Sequence, residues 1–125
     1  MIKQRPKNLN LLKIRLPVTG LVSILHRLSG VLLFLLVPGI LWAFELSLAS
    51  EYQFQALFSV SDYTPILKLI LLFLLWGFFH HLFAGVRHLF LDIHWGISLT
   101  HSRLTAKFIM IFSLFITFLL GFFLW

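Results

Sequence analysis

The chain lacks cysteine and has little charge, above all little acidic charge. Its 125 residues include no Cys and only four Asp and Glu, and charged residues make up 11% of the total. Without thiols, structural disulfides, iron–sulfur ligation by this chain and thiol catalysis are excluded. No carboxylate pair, nucleophile–base arrangement, phosphate loop or zinc-ligand spacing appears. We therefore do not expect the chain to catalyse a group transfer alone, and any redox centre in it must be held by histidine.

Long hydrophobic runs dominate the chain instead. Hydrophobic residues account for 60% of the sequence and aromatic residues for 17%, which lies outside the range of soluble domains. Three runs, 28–48, 66–86 and 108–125, are long enough to cross a hydrocarbon core, which takes about 20 helical residues. Backbone groups in lipid must bond within their own segment, so the runs must be helices. The sequence predicts an all-α integral membrane protein with three transmembrane helices.

Basic residues are distributed unevenly around these runs. Six of the ten Lys and Arg precede the first run and three lie between the second and third. The net charge of +6 therefore flanks hydrophobic spans and forms no stripe with aromatic readers, which argues against nucleic acid as a partner. The positive-inside rule places the N-terminus and the second connection in the cytoplasm and the connection from Glu51 to Asp62 outside.

The N-terminal residues lack the short apolar core of a signal peptide. We expect residues 1–20 to form a cytoplasmic segment, mostly irregular because of Pro6 and Pro17, with Thr19 capping the first helix. Residues 21–125 are expected to form the membrane domain, and Trp125 an interfacial anchor on the outer side.

A first polar cluster lies at the start of the first run. Ser23 and Arg27 are four residues apart, so a hydroxyl and a guanidinium project from one helix face. Together they suit an oxygen-rich ligand, and His26 and Ser29 add polarity to the same two turns. The alternative is that Arg27 extends to the lipid headgroups while Ser23 bonds back to its own helix.

A second polar cluster ends the second run. At about 100° per residue, His81 and His88 lie roughly 20° apart on one helix face, with Gly85 between them. An intramembrane imidazole is usually functional, and one beside a glycine suits a flat metal macrocycle, so haem is the first candidate. The alternative is that His81 bonds to a neighbouring helix. His80 points about 100° away and is expected to pack or bond sideways.

These residues resemble a known family, the cytochrome b subunit of bacterial succinate dehydrogenase. The resemblance covers essentially the whole chain and is carried by the pattern Ser-Ile-x-His-Arg-x-Ser-Gly from Ser23 to Gly30 and by His-x3-Gly-x-Arg-His from His81 to His88. Further matching residues are Arg5, Pro6, Asn8, Leu9, Ile14, Arg15, Pro17 and Asp92.

The resemblance implies a membrane anchor in the bacterial inner membrane that binds one haem b and ubiquinone. It implies His81 as an axial ligand of the haem iron, Ser23 and Arg27 as quinone contacts, and His26 and Arg27 near the haem propionates. Its implied partners are a second membrane-anchor subunit, an iron–sulfur subunit and a flavoprotein subunit that oxidises succinate. His81 and His88 share a helix face and cannot both bind one iron, so the partner anchor is expected to supply the second histidine; His26 is the candidate within the chain.

Two other classes of function stay open from the sequence. The membrane subunit of a quinol:fumarate reductase has the same parts working in the opposite direction. A haem-free structural anchor or a small transporter subunit would need His81 only for packing.

Overall fold

The structure, a computed structural model, describes the backbone of residues 16–63 and 65–124. It contains four helices in chain order: α1 (Val18–Ala49), α2 (Glu51–Tyr63), α3 (Pro65–Asp92) and α4 (Leu99–Leu124). Three of them, α1, α3 and α4, are long and apolar enough to cross a membrane. This confirms the predicted all-α fold with three transmembrane helices. The expectations for residues 1–15 and for Trp125 lie outside the described residues.

All three long helices begin or end farther out than the predicted spans. The predicted spans stop at the charged residues Arg27, Arg87 and Lys107. The helical backbone continues through each of these residues. Hydropathy marks where a helix leaves hydrocarbon, and the backbone hydrogen bonds continue beyond that point.

The start of α1 differs from the sequence expectation. The helix begins at Val18 with Pro17 in the N-cap position and no side-chain cap. Thr19 therefore lies inside the first turn, so its predicted role as the cap is wrong. Gly20 donates its amide proton to the Pro17 carbonyl, which satisfies an amide that a side-chain cap would otherwise serve, and Leu21 makes the first regular helix bond to the same carbonyl. Pro38 lies within α1, a position that membrane helices tolerate.

The connection between α1 and α3 is helical, which the sequence analysis did not predict. Ser50 is extended and starts α2 by accepting a hydrogen bond from the Gln53 amide at 3.2 Å. Gln55 then donates to Glu51 one turn earlier at 2.9 Å. These polar contacts belong to a short surface helix between two spans.

The three long helices pack as a bundle through small residues. α3 contacts both α1 and α4, and α1 also contacts α4. On α4 the buried positions are Ala106, Ile109, Ser113, Thr117 and Gly121, a spacing of three or four residues that gives one face. Small residues on such a face let helix backbones approach closely, as membrane helix packing requires.

The outer surface of the bundle is strongly apolar. Phe34 is 75% exposed, Phe118 66% and Phe122 80%. An exposed surface of this kind is incompatible with water and suits lipid or partner helices.

A tight turn joins α3 to α4. His94 has a positive φ of 61°, and the amides of His94 and Trp95 donate to the carbonyls of Leu91 and Phe90. This is the Schellman arrangement, completed by a Phe90–Trp95 ring contact with centroids 5.0 Å apart. The turn fixes where α4 starts beside the end of α3.

Candidate functional site

Two histidines and two glycines meet where α1 crosses α3. The imidazoles of His26 and His81 are stacked, with centroids 4.2 Å apart and planes 8° from parallel. A Cβ on Gly30 would lie 3.0 Å from Cε1 of His81, and a Cβ on Gly85 would lie 3.3 Å from Nε2 of His26. Each ring therefore lies over the glycine of the opposite helix, and a side chain at either glycine would displace it.

The predicted histidine face of α3 is confirmed, but the space over Gly85 is occupied by the ring of His26. His26 contacts both His81 and His88, whose ring centroid is 5.2 Å from that of His26. These three residues and Gly85 therefore lie in the α1–α3 seam. The glycine on this face predicts open space over Gly85 for a macrocycle. The structure places the His26 ring there, so a flat cofactor has to approach the cluster from outside the seam.

The hydrogen bonds of His81 determine which ring nitrogen is free. Nδ1 of His81 is 3.0 Å from the carbonyl oxygen of His26, and a carbonyl only accepts, so Nδ1 carries the proton. The Ser29 hydroxyl donates to the same His26 carbonyl at 2.9 Å, and its Oγ is 3.2 Å from Nδ1 of His81. In the neutral ring Nε2 of His81 is then the nitrogen without a proton, and it bonds to no described residue.

This arrangement fits a metal ligand. Histidines that bind metals usually donate the other ring N–H to a carbonyl, which fixes the ring and raises the basicity of the binding nitrogen. The alternative that His81 bonds to a neighbouring helix is also realised, because the carbonyl belongs to α1. One ring thus makes an interhelical bond through Nδ1 and leaves Nε2 available. Among the described residues no group of three or more His, Cys, Asp or Glu converges as a cage for a bare ion.

His26 is poorly placed as the opposite ligand of the same iron. Bis-histidine haem needs the macrocycle between the two imidazoles. Rings stacked at 4.2 Å leave no room for a macrocycle between them. A second ligand from another subunit is therefore the arrangement that this geometry favours.

His80 occupies a different environment from its neighbour His81. Its side chain is 1% exposed and lies beside the Val22 backbone, and neither ring nitrogen makes a hydrogen bond of good geometry to a described residue. The nearest ring is that of Trp76, with centroids 5.6 Å apart. His80 points into the bundle, where a cofactor from outside cannot reach it.

Ser23 and Arg27 lie on α1, and the described part of the chain offers neither side chain a hydrogen-bond or ion-pair partner. Six other helical hydroxyls, those of Ser29, Ser47, Ser59, Thr105, Ser113 and Thr117, donate to carbonyls three or four residues earlier. The half-buried Ser23 hydroxyl makes no such bond to any described residue, contrary to the backbone-bonding alternative. Arg27 is exposed and forms no hydrogen bond or ion pair within the described part of the chain. Both polar groups are thus available to a ligand.

Arg87 belongs to the second polar cluster and to the family pattern, but the sequence predicts no role for it. It is 7% exposed and points away from the histidine face, toward α4. Its guanidinium donates to Thr105 Oγ1 at 3.1 Å, to the Ser102 carbonyl at 3.1 Å and to Ser102 Oγ at 2.9 Å. The sequence could have predicted this contact, because Arg87 ends a hydrophobic run and the next helix has hydroxyls three residues apart at Ser102 and Thr105. Asp92, His94 and His101 are exposed, as expected for the helix ends and the turn.

Comparisons with known proteins identify the family that this chain resembles. Residues 1–120 match the family described as succinate dehydrogenase/fumarate reductase transmembrane subunit. The chain is 33% identical over 125 residues to the succinate dehydrogenase cytochrome b556 subunit of Coxiella burnetii, covering 100% of both chains. It is 35% identical over 117 residues to the subunit of the same name from Rickettsia bellii, covering 94% of this chain and 90% of the relative. The protein of that name from Paracoccus denitrificans is 29% identical over 104 residues, covering 82% and 78%.

Proposed function

This chain belongs to the succinate dehydrogenase/fumarate reductase transmembrane subunit family, and we propose that it is the haem b- and ubiquinone-binding membrane anchor of a bacterial succinate dehydrogenase. The observation that carries the proposal is the state of His81. Its Nδ1 is fixed on the His26 carbonyl, its Nε2 bonds to no residue that the structure describes, and its ring lies over Gly30. The names of the full-length relatives favour succinate dehydrogenase over fumarate reductase.

His81 is the proposed axial ligand on this side of the haem. His26 and Arg27 are the proposed neighbours of the propionates, since an imidazole and a guanidinium offset carboxylate charge. The second axial histidine comes from a partner membrane-anchor subunit packed on the α1–α3 seam. Polar groups in that seam would be costly against lipid and are expected to face protein. When bound, the haem supplies one-electron transfer within the membrane.

Ser23 and Arg27 form the proposed contribution of this chain to the quinone site. The Ser23 hydroxyl can donate to a quinone oxygen. Arg27 lies one helical turn away and stabilises the negative charge that develops on that oxygen during reduction. The free hydroxyl of Ser23 and the unpaired charge of Arg27 support this role.

The chain does not oxidise succinate itself in this proposal. A flavoprotein subunit performs that reaction and an iron–sulfur subunit passes the electrons to the quinone site. Residues 1–20 form a cytoplasmic segment and residues 21–125 the anchor domain in the bacterial inner membrane, because the Lys and Arg residues concentrate at one side of the spans.

Purification through a tag on this chain tests the proposal. Membranes solubilised in mild detergent should yield a complex that oxidises succinate and shows a cytochrome b signal in a dithionite-minus-air difference spectrum. A complex that oxidises succinate without a Soret band would mean a haem-free anchor. Purification without any succinate-oxidising subunit would overturn the assignment to succinate dehydrogenase.

A further inference from the structure

The seam between α3 and α4 contains a cavity that the proposed function does not use. It has a volume of about 290 Å³, and its walls are mostly apolar, with Phe83, Phe90, Phe108 and Phe112 among them. At about 100° per residue, four of the five α3 residues that line it, Phe83, Val86, Arg87 and Phe90, lie about 140° to 240° around the helix from His81, and the fifth, Leu91, lies about 80° from it. The cavity is therefore on the far side of α3 from the histidine cluster.

One charged side chain, Arg87, lines this cavity. The guanidinium uses Nε and Nη2 to hold Thr105 and Ser102 of α4. Nη1 bonds to no described residue, and no carboxylate in the described part of the chain pairs with Arg87. A cation that is 7% exposed in an apolar wall is costly unless an anion neutralises it. The cavity thus presents a positive charge that calls for an anionic ligand.

A second cavity adjoins the first at the α3–α4 turn. Its volume is about 430 Å³, and it shares Trp95, Gly96 and Thr105 with the first cavity. Its walls also include Ser98 and His101, which are exposed and joined by a 2.7 Å hydrogen bond. Polar side chains therefore lie at the α3–α4 turn, and Arg87 lies where the two cavities meet, bonded to the shared residue Thr105. Aromatic rings line the first cavity farther along the helices. This order of surfaces suits an amphiphile whose head lies at the turn and whose chain follows the helices.

The seam is open to the surroundings of the bundle. Val86 is 43% exposed, Phe90 44% and Phe108 62%, so the apolar walls face the medium around a transmembrane protein. That medium is lipid, which makes an anionic phospholipid the occupant with both the required charge and the required chain.

We propose that the α3–α4 seam binds one anionic phospholipid, with its phosphate at Arg87 and one acyl chain along Phe83, Phe108 and Phe112. The lipid comes from the leaflet at which the α3–α4 turn lies. Arg87 then has two roles, fixing α4 to α3 through Ser102 and Thr105 and neutralising the headgroup through its remaining nitrogen.

Native mass spectrometry of the detergent-purified protein, with the subunits that accompany it, tests this site. Delipidated protein is titrated with phosphatidylglycerol and with phosphatidylcholine of the same acyl chains. We expect one phosphatidylglycerol to bind in preference to phosphatidylcholine. Arg87→Gln should weaken phosphatidylglycerol binding about tenfold, the effect of losing a charge-assisted hydrogen bond, and weaken phosphatidylcholine binding less, because choline already offsets the charge of that phosphate.

Two further variants separate the site from general effects. Val86→Trp fills the seam but leaves the three Arg87 hydrogen bonds in place. It should therefore remove lipid binding while α4 stays packed on α3. If Arg87→Gln fails to assemble, Val86→Trp still tests the site. Arg103→Gln removes an exposed cation about 160° around α4 from Thr105 and should bind phosphatidylglycerol like the unmodified protein.

The proposal is overturned by equal binding of the two lipids, or by unchanged binding in Val86→Trp. Displacement of the bound lipid by inorganic phosphate would instead indicate a site for a free anion. Failure of the purified complex to bind any phosphatidylglycerol would also overturn the proposal and would indicate that another subunit covers the seam. The readout is bound lipid, so it does not depend on haem content or succinate oxidation.

Discussion

Replacing Gly30 with alanine tests how closely α1 positions the His81 ring. The new Cβ would lie 3.0 Å from Cε1 of His81, closer than a methyl group and a ring atom normally approach, and 3.5 Å from Nδ1, which is an ordinary contact. The ring is also held by its stack on His26 at 4.2 Å and by the 3.0 Å hydrogen bond from Nδ1. Any retreat from the methyl group strains one of these contacts.

The expected change in stability is small, so the haem site and not the stability of the protein should be measured. Overpacking of this kind costs about 1–3 kcal/mol, whereas alanine in place of glycine inside a helix gains about 1 kcal/mol. The net loss of stability is therefore small, and the position of Nε2 is the quantity that changes. Gly39→Ala is the matched control in the same helix, because nothing lies within 4 Å of a Cβ there.

The assay is the haem content and the visible and electron paramagnetic resonance spectra of the purified complex. Gly30→Ala should lose haem or convert part of it to a high-spin form, and Gly39→Ala should match the unmodified protein. A Gly30→Ala complex with unchanged haem content and an unchanged low-spin spectrum would refute the reasoning that this contact positions the ligand.

Three other predictions follow from the same geometry. Ser23→Ala and Arg27→Leu should strongly slow electron transfer from succinate to ubiquinone while sparing transfer to a soluble artificial acceptor; equal loss of both activities in assembled complex would exclude a quinone role. Ser29→Ala should retain haem, because Nδ1 of His81 keeps the His26 carbonyl, and complete haem loss would show that the hydroxyl is the essential contact. Gln55→Cys, on the exposed surface of α2, should react with an impermeant thiol reagent from outside the cell, and reaction only from the cytoplasmic side would reverse the proposed topology.

Much of the fold could be predicted from hydrophobic length alone. The three spans follow from the thickness of the hydrocarbon core, and the shared face of His81, Gly85 and His88 follows from helical periodicity. The short helix α2 was not predicted, because its start depends on the local contacts of Ser50 and Glu51 and no hydrophobic run marks it.

The details of the site depend on the register between helices, which a single sequence does not contain. Gly30 lies under His81, and His26 over Gly85, only because α1 and α3 cross at one particular height. The direction of Arg87 likewise depends on where the α3–α4 turn places Ser102 and Thr105. Periodicity identifies the residues of a face, whereas packing decides which residue of the next helix each one meets.

The most direct test of the account compares two adjacent histidines. His80→Leu removes two buried ring nitrogens that make no hydrogen bond of good geometry to a described residue, so it should leave the bundle intact. His81→Leu removes the ring whose Nε2 is free, and the two complexes differ only in which of two neighbouring imidazoles is lost. The account predicts that the dithionite-minus-air spectrum of the purified complex keeps its low-spin haem signal in His80→Leu and loses it, or becomes high-spin, in His81→Leu. A low-spin signal retained in His81→Leu and lost in His80→Leu would contradict it.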